Sequence, residues 1–238
     1  MLTELCNSPA SFARLTEEIF AAELWIFLLL FIDDLIIFSC SVDEHLQHLR
    51  TVLQKLKDNN LQAKRSKCRF AMAQLTFLGH TINKDGILPL EENVALIQSF
   101  RYPTTQKELR SFLGMTSYYR KFIPGYGKIS RSLNALLKKE TKFKLTDEMK
   151  DDFDKLKECL LTPSILRYPN YDLPFIVITD ASKYAIGHII AQQSDGKYVV
   201  IKYGGRTLKD AEINYPITPK PQNPKTPRHF VSIERDKY

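Results

Sequence analysis

Cysteine is scarce in this 238-residue chain: Cys6, Cys40, Cys68 and Cys159 are far apart and form no C-x-x-C pair. That spacing excludes a disulfide framework and a zinc-finger-like site, and it reads as reduced thiols of an intracellular protein. The opening residues, Met1 to Phe12, lack a basic start before an apolar core, so no secretory signal is expected. The expected location is the cytoplasm or nucleus. Long hydrophobic runs are also missing. The longest, Leu24 to Ile32, holds nine apolar residues before Asp33 and Asp34 interrupt it. A membrane-spanning helix needs about 20 such residues, and two central carboxylates would cost about 2.5–3.5 kcal/mol each. Two short apolar runs around a polar pair instead predict a buried strand–turn–strand hairpin. No internal repeat is present.

The composition that remains is globular, with 44% apolar and 26% charged residues. Thirty-four Lys and Arg against 27 Asp and Glu leave a net charge of +7, which favours polyanionic partners. Ser41 and Glu44 have capping-box spacing ahead of Leu46, Leu49, Leu53 and Leu56, predicting a helix over 43–58. Strands are expected in 61–87, with a turn at Asp85-Gly86. Thr105 and Glu108 make a second capping box before the stripe Leu109, Phe112, Leu113, Thr116 and Ile123. Helices are predicted over 129–138 and through Met149, Phe153, Leu156 and Leu160. Phe175–Thr179, Gly187–Ala191 and Tyr198–Tyr203 read as strands, the last two joined by the turn at 194–197. Five of the twelve prolines lie between 216 and 227, which predicts an extended, disordered tail over 216–238.

Asp33 and Asp34 are the first candidates for chemistry. Two carboxylates at a tight turn between buried strands repel each other where solvent is poor, and a divalent cation relieves that repulsion. A solvated turn that happens to hold two aspartates is the other reading. Asp180, at the end of a predicted strand, reads on its own as a strand-ending helix cap or turn. Between 101 and 144, eleven basic residues face two acidic ones, a surplus of +9. Arg110, Arg120, Lys121, Lys128 and Arg131 belong to this set, interleaved with Tyr118, Tyr119 and Tyr126. Such a run is either a solvated helix face or a surface that tracks a phosphate backbone. Lys64, Arg65, Lys67 and Arg69 read as surface, and His45 with His48 as an exposed helix pair.

Six ordered segments carry a resemblance: LCNSPASFARL (5–15), FIDDLIIFS (31–39), FLGHTINKDGI (77–87), LRSFLGMTSYYRKFIP (109–124), FDKLKECLLTPSILRYP (153–169) and FIVITDASKYAIGHIIAQ (175–192). In this order and at these distances they resemble the Pol polyprotein of gypsy-type long-terminal-repeat retrotransposons, from about residue 4 to about 218. The resemblance implies a mixed α/β fold: the C-terminal part of a reverse transcriptase palm (1–88), a helical, basic thumb and connection (89–165), and the N-terminal part of a ribonuclease H-like domain (166–215). It implies template-directed addition of dNTPs to a primer, magnesium as cofactor in a two-metal site, and an RNA/DNA template–primer duplex as partner.

By the same resemblance Asp33 and Asp34 are polymerase metal ligands, and Phe31 stands where the family has tyrosine. Leu78, Gly79 and His80 match the hairpin that grips the primer end, with His80 positioning or packing rather than ligating metal. Asp180 matches the first of four nuclease metal ligands. The resemblance puts a third polymerase carboxylate upstream of LCNSPASF, so it is expected to lie outside this chain with the fingers. Glu4, Glu17, Glu18 and Glu23 are not in its motif. Pro219 and Pro221 stand where glutamates are expected, and the last two nuclease acids are expected beyond Tyr238. These departures imply an inactive isolated chain, truncated at both ends. The alternatives are a catalytically dead nucleic-acid-binding remnant or a pseudogene product.

Overall fold

The computed structural model describes residues 7–138, 141–209, 211–214 and 231–233. The chain divides into two compact units between Met72 and Ala73. In the first, Pro9 opens helix α1 (Ser8–Ile19), where its missing N–H costs nothing. This helix was not expected from the sequence. Strands β1 (Leu28–Phe31) and β2 (Asp34–Ile37) pair antiparallel, Leu28 opposite Ile37 and Phe31 opposite Asp34. Helix α2 (Val42–Asp58) starts where expected: Ser41 Oγ accepts from Glu44 N, and Glu44 Oε2 accepts from Cys40 N at 2.7 Å.

A two-stranded hairpin is marginal alone, so this one depends on its cover. Phe20, Leu28, Val52 and Leu56 are buried together, with Leu35 and Ile37 packed against them. Each such side chain contributes about 1.5–3 kcal/mol. Cross-strand pairs share a face, so Leu28, Leu35 and Ile37 face this cluster. Leu29, Phe31, Asp34 and Ile36 lie on the other face, half-buried or exposed. The hairpin expected to be buried is therefore covered on one side only.

The second unit opens with a meander, β3 (Gln74–Phe77), β4 (His80–Asn83) and β5 (Gly86–Pro89), turning at Leu78-Gly79 and Lys84-Asp85. Helices α3 (Glu91–Ser99), α4 (Gln106–Tyr118), α5 (Tyr126–Ile129), α6 (Arg131–Ala135) and α7 (Asp147–Leu161) follow. Helix α3 was not expected from the sequence. In place of the single helix expected over 129–138 there are two, with Ser130 (ψ −4°) between them at the C-cap position of α5 and the N-cap position of α6, without a side-chain cap bond. Their core holds Leu109, Phe112, Phe122, Leu133, Phe153, Leu156 and Leu160, with Phe112 stacked on Phe153 at 3.9 Å.

A four-stranded antiparallel sheet completes the unit: β6 (Phe175–Ala181), β7 (Ala185–Ser194), β8 (Lys197–Thr207) and β9 (Val231–Ile233), in the order β8-β7-β6-β9. Only three residues of the tail expected to be disordered, 216–238, are described. Val231–Ile233 pairs with the edge of β6, while 215–230 and 234–238 lie outside the described residues. The meander falls in the second of the two compact units. Ile87 and Leu166 exchange backbone hydrogen bonds of 2.9 and 3.1 Å, and Arg167 N donates to Val200 O. Gly86 makes this approach possible, since a Cβ there would lie 2.2 Å from the Leu166 carbonyl oxygen.

Candidate functional site

Asp33 and Asp34 sit at the tip of the β1–β2 hairpin, Asp33 in the two-residue turn and Asp34 opening β2. Both are exposed. This corrects the poorly solvated setting expected from the sequence: only the helix-facing side of the hairpin is covered, and its tip lies open to water. Ile32, the other turn residue, has φ +55°. A β-branched residue there is an outlier in a position that hairpin turns usually give to glycine, and it stores about 1–3 kcal/mol. Phe31, opposite Asp34 and 45% exposed, sets an aromatic surface beside that carboxylate.

The donor set is all oxygen, adjacent and open to solvent, which fits a hard divalent cation. Magnesium binds through one or two carboxylates and completes its shell with water and substrate phosphates. Among the described residues no group of three or more His, Cys, Asp or Glu side chains could hold a metal. Glu23, one of the nearby acids, is buried and paired with Lys55 at 2.7 Å.

In the second unit, Leu78 and Gly79 form the β3–β4 turn with φ of +45° and +64°. Its carbonyls are tied inward. The Tyr118 hydroxyl donates to Leu78 O at 2.6 Å, and the Tyr119 hydroxyl to Gly79 O at 2.7 Å. Leu90 N also donates to Gly79 O, and Asn93 Nδ2 donates to the Tyr119 hydroxyl at 2.7 Å. A Cβ on Gly79 would press on Asn93, Tyr118 and Tyr119 at 3.3 Å each.

His80 lies beneath this turn, 8% exposed, with the rings of Tyr118, Tyr119 and Phe122 centred 5.3–5.7 Å away. Its Nδ1–H donates to Leu78 O, since a carbonyl can only accept. Nε2 is then a bare acceptor, buried without a partner. Burial pushes its pKa below the usual value, the Lys121 charge pushes the same way, and the Leu78 carbonyl opposes them. His80 is thus a neutral packing residue. The rings of Tyr118, Tyr119 and Phe122 cover it.

The basic residues divide by environment. Arg110, Arg120 and Lys128 are exposed. Lys121 is half-buried, its pKa lowered first by burial and then by Lys202. The Arg131 guanidinium stacks 3.4 Å over the Tyr184 ring, so it joins α6 to the β6–β7 connection. The interleaved tyrosines are also redefined. Tyr119 is 2% exposed, and the Tyr126 hydroxyl donates to Leu113 O at 3.3 Å. His45 and His48 are half-buried, both with Nδ1 on Ser39 Oγ (3.2 and 2.8 Å), and His48 stacks on Phe27. They staple the hairpin to α2, where the sequence suggested free surface.

Asp180 is exposed on β6, opposite Gly187. Pro219 and Pro221 lie outside the described residues. Sequence reasoning missed Asn93 and the tyrosine-to-turn bonds, which span up to 40 positions and leave no local pattern.

Residues 5–82 match the family described as reverse transcriptase (RNA-dependent DNA polymerase), and 145–221 match an RNase H-like domain found in reverse transcriptase. The chain is 41% identical over 212 residues to the retrovirus-related Pol polyprotein from transposon 297 of Drosophila melanogaster, covering 89% of this chain and 20% of that protein. It is 34% identical over 217 residues to the transposon Tf2-3 polyprotein of Schizosaccharomyces pombe, covering 91% and 16%. The chain therefore spans a fifth or less of these relatives. Among solved structures, it superposes on a foamy viral protease-reverse transcriptase in complex with RNA/DNA hybrid (TM-score 0.76, 24% identity, 90% of this chain, 29% of that one). The same protein in complex with dsDNA gives a TM-score of 0.77 at 24% identity, covering 91% and 45%. These superpositions establish a shared mixed helix-and-sheet fold.

Proposed function

We propose that this chain, which carries reverse transcriptase and RNase H-like domains of the transposon Pol polyprotein kind, serves a gypsy-type retroelement enzyme that copies RNA into DNA and cleaves the RNA of the hybrid. Its partner is a template–primer duplex, with dNTPs as substrates of the larger enzyme, inside the cell. In this reading the first unit is palm, the helices after β5 are thumb and connection, and the β6–β9 sheet is ribonuclease H-like.

The observation that carries the reading is the pair Asp33–Asp34 on an open hairpin tip, within the segment matching reverse transcriptases. Asp33 and Asp34 would hold Mg2+, and Asp180 would hold the nuclease metal. When bound, the ions supply Lewis-acid stabilisation of charge on the attacking and leaving oxygens. The chain's own residues do the rest. Phe31 offers an apolar ring to a sugar or base beside Asp34. The Leu78-Gly79 turn meets the primer strand. Arg110, Arg120 and Lys128 neutralise phosphates and hold the duplex without reading its sequence.

Two measurements test this. Mn2+, added as a paramagnetic stand-in, should broaden NMR signals around residues 31–37, and Asp33→Asn with Asp34→Asn should abolish that effect. Fluorescence anisotropy should detect an RNA/DNA hybrid at low salt. Absence of both effects would overturn the reading.

A further inference from the structure

We infer that Tyr118 and Tyr119 are positioning residues that hold the Leu78-Gly79 turn in the shape in which it reads a primer end. The inference rests on the proposed function and adds residues and a task to it. Both turn carbonyls accept from adjacent tyrosines at the end of α4, at 2.6 and 2.7 Å. The Tyr119 hydroxyl also accepts from Asn93, and Gly79 O takes a second donor in Leu90 N, which fixes this end of the turn from α3 as well. Both turn residues hold positive φ. Leu78, a non-glycine residue, is disfavoured there and needs such restraint.

With its carbonyls turned inward, the turn leaves the Leu78 side chain, 40% exposed, at its tip. Tyr118 is 52% exposed, so its ring flanks that tip while its hydroxyl is engaged below. A rigid apolar tip beside an aromatic ring suits the last sugar and base of a recessed strand, where a terminal base offers a free face for stacking. A continuous duplex offers no such face. Phosphate contacts elsewhere bind both substrates alike. The tyrosine pair should thus govern discrimination between ends and leave general affinity to the basic residues.

The test compares the full chain with Tyr118→Phe and Tyr119→Phe. Anisotropy is measured on a hybrid with a recessed DNA 3′ end and on a hybrid of equal duplex length whose two ends are closed by loops, which offers no free terminal base. The unsubstituted chain should prefer the recessed end. Tyr118→Phe, whose ring is half-exposed, should cut that preference about three- to ten-fold, as loss of one hydrogen bond does, with affinity for the loop-closed hybrid and melting temperature unchanged. Tyr119→Phe should cut it as well, with a lower melting temperature. Amide exchange at 78–80 should accelerate in both variants. A preference that survives both substitutions, or a chain that binds hybrid with no end preference, would overturn the inference and leave the proposed function standing. No hybrid binding at any salt would overturn both.

Discussion

Lys55 Nζ lies 2.7 Å from Glu23 Oε2 and 3.1 Å from the Ile19 carbonyl, tying α2 to the end of α1. The ammonium also satisfies a backbone acceptor that the helix end leaves without a partner. The Glu23 side chain is 9% exposed and that of Lys55 31%. Lys55→Met, which keeps the apolar stem, should destabilise the first unit by roughly 2 kcal/mol, between about 1 for exposed pairs and about 3–5 for buried ones. Urea unfolding followed by Trp25 fluorescence would check it. An unchanged midpoint would mean that the pair contributes nothing net.

His80 makes stability depend on pH in a defined direction. Its folded pKa lies below 6.5, so as pH falls through that value the unfolded chain takes up a proton that the folded chain refuses. The stabilisation is complete above pH 6.5 and is lost as pH falls toward the folded pKa. The drop in unfolding free energy between pH 7.5 and 5.5 should be smaller in His80→Phe than in the unsubstituted chain. Equal drops would refute the assignment.

Arg206 grips Glu212 with both amino groups, at 2.6 and 2.8 Å, and Lys209 N adds a third donor. The guanidinium, helped by that N–H, brings the Glu212 carboxyl from 4.5 to about 2. The stability contributed by this pair is present above 4.5 and disappears as pH falls through 2. An NMR titration should find Glu212 near 2, moving back toward 4.5 in Arg206→Ala.

The ring-stacked Arg131 should separate from Arg110, Arg120 and Lys128 in salt titrations of hybrid binding. For a B-form duplex the slope of log affinity against log salt falls by about 0.9 per lost phosphate contact. Arg110→Ala, Arg120→Ala and Lys128→Ala should each flatten it by a comparable step. Arg131→Ala should leave the slope and loosen the β6–β7 connection instead, because its guanidinium lies on Tyr184. Asp33→Asn should leave binding nearly unchanged. A slope that ignores Arg110, Arg120 and Lys128 would remove them from the interface.

Features written within a few residues were legible in advance. Ser41–Glu44 and Thr105–Glu108 announced the starts of α2 and α4, because a cap bonds three positions along the chain. Asp33-Asp34 between two apolar runs announced a hairpin tip, because side chains alternate along strands and turns favour polar residues. Tertiary structure alone decided what those residues face. The amino acids in FLGH do not reveal that His80 is buried, since its cover comes from Tyr118, Tyr119 and Phe122, about 40 residues away. The basic run from 101 to 144 does not reveal that the guanidinium of Arg131, exposed like Arg120, lies on the Tyr184 ring. Local hydrogen bonds follow from the order of residues. Burial, and with it charge state and reach, is set by whichever distant side chains the packed core brings alongside.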